Sequence, residues 1–241
     1  MPIQLHQAPE KWKHLIIECW DLSHTHTGTP PSFQVLPDGI IELVVNFGDP
    51  YEVILGKSTF EIGAGIYLRG LCLNPITVQF GPVISVWGIR LHPAWVEYHL
   101  GIPLAEGFEK VLPVESLGEL GKLQPRDSGD FLNAFIGMLK NPSLPDQKNV
   151  MHLAARTIEQ YAGTLAIPEL ANICCVSVSA LERRFKHMFG LSPKAYSQMV
   201  KFRFIARYLS DGKSADQLDL IADFDLTDAS HLNKITHNFS Q

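Results

Sequence analysis

Between residues 33 and 91 the apolar positions fall in short bursts. FQVLPDGIIELVVNFGDP, YEVILG, FEIGAGIYLRGLCLN, ITVQFGP and VISVWGIRLHP are β-branched or aromatic runs of strand length. Asp38-Gly39, Gly48-Asp49-Pro50, Asn74-Pro75 and Gly81-Pro82 punctuate them as turns. The pattern predicts a small barrel or sandwich with an apolar interior. Residues 9–22 read as a further strand, with Trp12, Leu15, Ile17 and Trp20 apolar, and SHTHTGTPPS over 23–32 reads as a loop. From about residue 92 the spacing turns helical, in HPAWVEYHLG, VESLGELGKL and GDFLNAFIGMLKN. Asn141 to Pro145 has linker composition. NVMHLAARTIEQYAG then predicts an amphipathic helix with Val150, Leu153, Ala154, Ile158 and Tyr161 inward.

The stretch from Ile167 to Lys194 has the most detailed pattern. Pro168 suits the first turn of a helix, where its missing N–H is no loss. Leu170 and Ala171 face inward, and Cys175-Val176-Ser177 makes a turn with Ser177 as N-cap. The next helix carries Val178, Leu181, Phe185 and Met188 on an apolar stripe. Ser179, Glu182, Arg183, Lys186 and His187 lie on its other face. Gly190 ends it in a left-handed position. Ser192-Pro193 starts a longer helix with Tyr196, Val200, Phe204 and Tyr208 on its apolar side. A short basic helix behind a tight turn is a device for placing side chains in the DNA major groove.

A net charge of −5 at pH 7 is unusual for a DNA binder, but the charge is unevenly spread. Residues 177–209 hold seven Lys or Arg against one Glu, whereas 211–241 hold two Lys against six Asp. The first segment can supply the attraction to phosphate that dominates DNA affinity. The 46% hydrophobic fraction fits a chain with a real core. No apolar run reaches membrane-spanning length, and MPIQLHQAPEKWKH lacks the order of a signal peptide, so a cytoplasmic location is expected. The four cysteines form no C-x-x-C pair, and reduced thiols are the expectation. Gly-x-Ser-x-Gly, P-loop and Rossmann glycine patterns are absent, and no cofactor is expected.

IPELA followed by SVSALERRFKHMFGLSPKAY resembles the first helix-turn-helix of the AraC/XylS family of bacterial transcription regulators. The resemblance rests on Leu-x-Arg-Arg-Phe-Lys and on the Phe-Gly-x-Ser-Pro-Lys-x-Tyr exit. LPDGIIELVVNFGDP, VWGIRLHPAW and HLGIPLAEGFEKVLPVESL are similar, less specifically, to the cupin-like sensor domain that precedes some of these DNA-binding domains. The resemblance implies an α+β chain of two domains. Residues 1–145 would be a cupin-like β-rich barrel followed by helices, for sensing or dimerisation. Residues 146–241 would be an all-α domain of two helix-turn-helix units joined by a long helix. QLDLIADFDLTDASHLNKITHNFSQ stands where the second unit belongs, but with departures. Asp225, like Cys175 in the first unit, occupies a usual turn Gly, and Thr236 occupies a buried Phe position. The partners implied are double-stranded DNA, a small-molecule effector, a second copy of the chain and RNA polymerase, with no membrane.

Candidate DNA-binding residues are Ser177, Ser179, Arg183, Lys186 and His187 in the first unit and Ser230, Asn233, Lys234 and His237 in the second. Arg183 can bridge guanine O6 and N7, and either Arg183 or Lys186 can hold a phosphate. Arg203, also a candidate, and Arg207 can serve either phosphates or internal carboxylates. The second unit can read bases or act as a packing partner for the first. Glu42 and Arg90 are the candidate effector-binding residues. Glu42 sits among apolar neighbours and points either inward or to solvent; a charge is almost never buried unpaired, so Arg69 or Arg90 is its candidate partner. His24 and His26 have chelating spacing, but no glutamate follows at the cupin interval, and no metal site is assigned. Two rival readings remain. One is a metal- or small-molecule-dependent cupin enzyme with a helical interaction tail. The other is a decayed regulator with weak DNA binding.

Overall fold

The apolar bursts form two antiparallel sheets. A computed structural model describes residues 3–100, 104–117, 128–139 and 149–210. The strands are β1 (Gln4–His6), β2 (Ile16–Thr25), β3 (Ser32–Val35), β4 (Ile41–Asn46) and β5 (Tyr51–Leu55), then β6 (Ser58–Ile62), β7 (Gly65–Arg69), β8 (Ile76–Gln79), β9 (Val83–Leu91) and β10 (Val111–Pro113). One sheet has the order β1-β2-β9-β4-β7-β10, the other β3-β8-β5-β6. Leu22, Val44 and Val86 of the first sheet share one core cluster with Val53, Ile62 and Ile76 of the second, so the sheets pack face to face.

β4 is paired on both sides, by β7 and β9, and every one of its residues is buried. Successive side chains point to opposite faces. Glu42 and Val44 therefore face the second sheet, and Ile41, Leu43 and Val45 face away from it. α1 (Pro93–Leu100) follows β9 directly, and α2 (Ser128–Met138) lies against β9. Phe131 and Phe135 of α2 are fully buried. Asn46 closes the strand end: its Nδ2 donates to the carbonyls of Asp49 and Ile62 at 3.0 and 3.1 Å, and its Oδ1 accepts from Gly48 N–H at 2.9 Å. A buried amide so engaged holds the β4–β5 turn to β6.

The expected strand over 9–22 is corrected by the structure. Glu10–Trp12 is a 3-10 turn, in which Trp12 N–H donates to the Pro9 carbonyl at 2.8 Å. Trp12 is buried there, and the strand runs from Ile16 to Thr25. Its polar end, Ser23-His24-Thr25, reads as loop because those residues are exposed. They are strand because they pair with Val83, Ile84 and Ser85. Of VESLGELGKL, Val114–Ser116 is a 3-10 turn and residues 118–127 lie outside the described residues.

The helical region comprises α3 (Val150–Gln160), α4 (Ile167–Ile173), α5 (Val178–Phe189) and α6 (Pro193–Ser210). Contacts group Met1–Lys148 and His187–Gly190 as one unit, and Asn149–Lys186 and Leu191–Gln241 as another. In α3, Ala154 and Ile158 are buried as the periodicity predicts, but Tyr161 is exposed and His152 and Thr157 are buried. Tyr161 is already the C-cap, beyond the last helical turn, so the helical period no longer applies to it.

A histidine pair carries a pH dependence. His14 Nε2 lies 3.2 Å from His99 Nε2, between the rings of Trp12 and Trp95. Burial, with the neighbouring His14, holds the His99 imidazole down to about 4, and burial also lowers His14. The native state thus favours neutral rings. Above pH 6.5 both native and unfolded chains are neutral here, and nothing is lost. As pH falls from about 6.5 towards 4 the unfolded chain takes up protons first, and stability declines. The loss expected for a half-buried group is on the order of 1–2 kcal/mol. Urea midpoints at pH 7 and 4.5 should separate less in His99→Gln than in the parent; equal separations would remove the pair from that role.

Candidate functional site

The two halves of the chain present two sites, one a partly open, mainly apolar cavity, one a basic exposed face. The first is a cavity of about 350 Å³ between the two sheets. Its walls are mainly apolar, with Leu22, Val44 and Val86 from one sheet and Val53, Ile62 and Ile76 from the other. A row of charges crosses the first sheet along its edge of the cavity. Strand register pairs Glu18 of β2 with Arg90 of β9, Arg90 with Glu42 of β4, and Glu42 with Arg69 of β7. All four line the cavity, and signs alternate along the row.

The side chains close this row into pairs. Arg69 Nε donates to Glu42 Oε2 at 3.1 Å, and Trp20 Nε1 donates to Glu42 Oε1 at 2.6 Å. Arg90 forms ion pairs with Glu18 and with Asp38, which also lines the cavity. Burial alone pushes the Arg69 and Arg90 guanidiniums down, but the carboxylates outweigh it, Glu42 chiefly at Arg69 and Asp38 chiefly at Arg90, and both cations are held above their ordinary value. Trp20 reaches Glu42 across Gly88, its register partner on β9. A Cβ at Gly88 would lie 2.2 Å from the indole, so only glycine leaves room for that ring. The sequence brought Glu42 and Arg90 forward and left the partner of Glu42 open; the structure selects Arg69. Trp20, Glu18, Asp38 and the cavity tyrosines Tyr51 and Tyr67 were not singled out. The signal available was a charged residue inside each of several apolar strand runs.

The second site is on α5. Ser177 caps the helix, its Oγ accepting from Ala180 N–H at 3.2 Å. Before it, Cys175 has φ 53°. Cys175 N–H donates to the Asn172 carbonyl and Val176 N–H to the Ala171 carbonyl, both at 3.0 Å. This is the hydrogen-bond pattern that ends a helix with a left-handed residue. Cysteine has a Cβ that glycine would not, at a cost of order 1 kcal/mol. Leu181, Phe185 and Phe189 are buried at i, i+4 and i+8, and Leu170 and Ala171 are buried on α4. Val178, expected on the stripe, is 37% exposed, because it is the first helical residue and lies off that row. Ser179, Arg183, Lys186 and His187 are all exposed.

α6 supports this arrangement. Ser192 Oγ accepts from Ala195 N–H at 3.2 Å, and Gly190 has φ 81°. Tyr196 packs against Phe185, centroids 5.7 Å apart, and donates to Glu159 Oε1 at 2.8 Å. Arg203 is ion-paired with Glu159, both side chains largely buried. Of its two open roles, the structure has Arg203 on an internal carboxylate. Phe204, expected inward, is exposed, and Ile205 is buried instead. Ser230, Asn233, Lys234 and His237 lie outside the described residues. His24 and His26 stand with ring centroids 4.4 Å apart; among the described residues no group of three or more His, Cys, Asp or Glu is placed to hold a metal. Among the same residues no helix is long and apolar enough to cross a membrane.

Residues 4–113 match a family described as a domain of unknown function, DUF6597. No curated protein matches the chain. Among solved structures, ToxT from Vibrio cholerae aligns with TM-score 0.51 at 9% identity, over 97% of this chain and 92% of that one. The fold is that of ToxT. ToxT bound to (E)-4-(8-methylnaphthalen-1-yl)but-3-enoic acid aligns with TM-score 0.51 at 11% identity, over 97% of this chain and 93% of the other. CuxR, an AraC-like transcriptional activator, aligns with TM-score 0.31 at 14% identity over 88% and 86%, too low a score to define a common fold. The ToxT fold here is a mixed α+β arrangement, β-rich towards the N-terminus and helical towards the C-terminus.

Proposed function

We propose that the chain is a DNA-binding transcription regulator of the AraC/XylS type, acting in the cytoplasm, whose β-rich unit binds a small molecule. The observation that carries this is the exposed face of α5. Ser179, Arg183 and Lys186 lie along it, opposite the buried row of Leu181, Phe185 and Phe189, behind a capped turn. In this reading α4, the turn and α5 form a helix-turn-helix unit, and α5 enters the major groove. Arg183 reads a base edge and Lys186 holds a phosphate. Ser177 fixes the helix start, and His187 flanks the contact. Arg203 works indirectly, holding α6 against α3 through Glu159. The second unit, in 211–241, contributes Ser230, Asn233, Lys234 and His237 to a lesser contact, because its charge is acidic.

The cavity is the effector site of this reading, with Glu42 and Arg90 on its wall. The ToxT structure that holds an aryl-substituted acid supports the assignment of a small-molecule site to this fold. Effector binding would bias the β-rich unit between two states and so the presentation of the DNA-binding helices. A second copy of the chain and RNA polymerase are partners of the same proposal. The test is selection of a preferred site from random duplex DNA with the full chain, followed by Arg183→Ala. The variant should lose about 1–3 kcal/mol of discrimination between that site and a variant of it. Equal discrimination by variant and parent would take Arg183 out of base reading.

A further inference from the structure

The charge balance of the cavity points to one class of ligand. Three carboxylates line it, Glu18, Asp38 and Glu42, against two guanidiniums, Arg69 and Arg90, which leaves a formal charge of −1. Both guanidiniums are already engaged, Arg69 by Glu42 and Arg90 by Glu18 and Asp38. A ligand carboxylate would have to take one of them from its partner and leave that partner buried and unpaired, which is costly. Glu42 and Asp38 each accept through both carboxylate oxygens, and Glu18 is the least committed of the three. Glu18 meets Arg90 through Oε1, which leaves Oε2 for another donor, and its side chain is 28% exposed against 13% for Asp38 and 11% for Glu42. Five aromatic rings, Trp20, Phe33, Tyr51, Tyr67 and Phe80, contribute to the lining. Aromatic faces attract cations, most strongly where water is excluded.

From this arrangement we infer that the cavity binds an organic monocation, an ammonium group on an apolar or aromatic body, with Glu18 as the counter-ion and the aromatic rings around the charge. Burial first, then Glu42, holds the proton of the Tyr51 phenol more tightly than usual, so that ring stays neutral in the cavity. A volume of about 350 Å³ is at the lower end of small-molecule pockets, which suits a compact ligand with one charged group. The inference rests on the cavity being an effector site, as proposed above, and not on what the helices bind.

The test is direct binding of three probes with one hydrocarbon body, phenylbutylammonium, phenylbutanol and phenylbutanoate, to the full chain by calorimetry at pH 7. The ammonium should bind about tenfold or more tighter than the alcohol, and the alcohol tighter than the acid. Glu18→Gln should bring the ratio of ammonium to alcohol affinity to within about threefold of unity. Val78→Trp, which fills the cavity from β8, should abolish binding of all three and so places the site. Tightest binding by the acid, or an ammonium preference that survives Glu18→Gln, would overturn the cation assignment while leaving the effector cavity standing. Binding of none of the three, or binding indifferent to Val78→Trp, would overturn both the assignment and the effector reading of the cavity.

Discussion

Glu42→Ala should cost about 3–5 kcal/mol of the stability of the β-rich unit, the loss typical of breaking a buried ion pair from one side. Glu42 and Arg69 side chains are 11% and 9% exposed. The carboxylate accepts from Arg69 Nε through one oxygen and from Trp20 Nε1 through the other. Removing it strands a guanidinium that cannot shed its proton and an indole N–H that has lost its acceptor. Compensation is the sharper part of the prediction. Glu42→Leu combined with Arg69→Met should recover most of the loss, because exchanging a buried pair for apolar residues of similar volume is near neutral. Urea unfolding followed by tryptophan fluorescence measures both. A loss below about 1 kcal/mol for the single variant would mean that solvent, not Glu42, satisfies Arg69.

Affinity for duplex DNA should fall by two to three orders of magnitude between about 50 and 200 mM salt, since each phosphate neutralised contributes about −0.9 to the slope of log K against log salt. Of the seven basic residues in 177–209, Arg203 is committed to Glu159. Arg207 is likewise engaged within the chain, which leaves Arg183, Arg184, Lys186, Lys194 and Lys201. Five contacts would give a loss of about five-hundredfold over that range, and the six aspartates of 211–241 work against it. Fluorescence anisotropy of a labelled duplex across a salt series reads the slope directly. A change of less than about tenfold would favour the decayed-regulator reading, in which the helices no longer grip the backbone.

Local chemistry explains which features could be read without coordinates. Ser177 and Ser192 cap helices, Gly190 is left-handed, and Leu170, Ala171, Leu181 and Phe185 are buried. Each depends on a few neighbouring residues and on the helical period. The errors share a different cause. Trp12 lies in an apolar alternation that a 3-10 turn and a strand satisfy equally over so short a span, and its burial is set by the histidines and α1 that pack on it. Val178, Tyr161 and Phe204 sit at or near helix ends or beside a second apolar row, where the period no longer decides which residue is covered. Residues 211–241, where the second unit was expected, lie outside the described residues.

The sequence by itself determined the strand-rich and helical halves, the helix boundaries around α5 and the exposed basic face, because caps, glycine and hydrophobic period act over a few residues. Only the tertiary structure decided the partner of Glu42. Register sets Arg69 and Arg90 on either side of it, so proximity along the strands allows both. The choice falls to Arg69 because Glu18, brought beside Arg90 by β2, and Asp38, from the turn before β4, take Arg90 between them. Glu18 and Arg90 are 72 positions apart, and no local rule reaches that far. The sign of the cavity's charge follows from that assembly of distant strands.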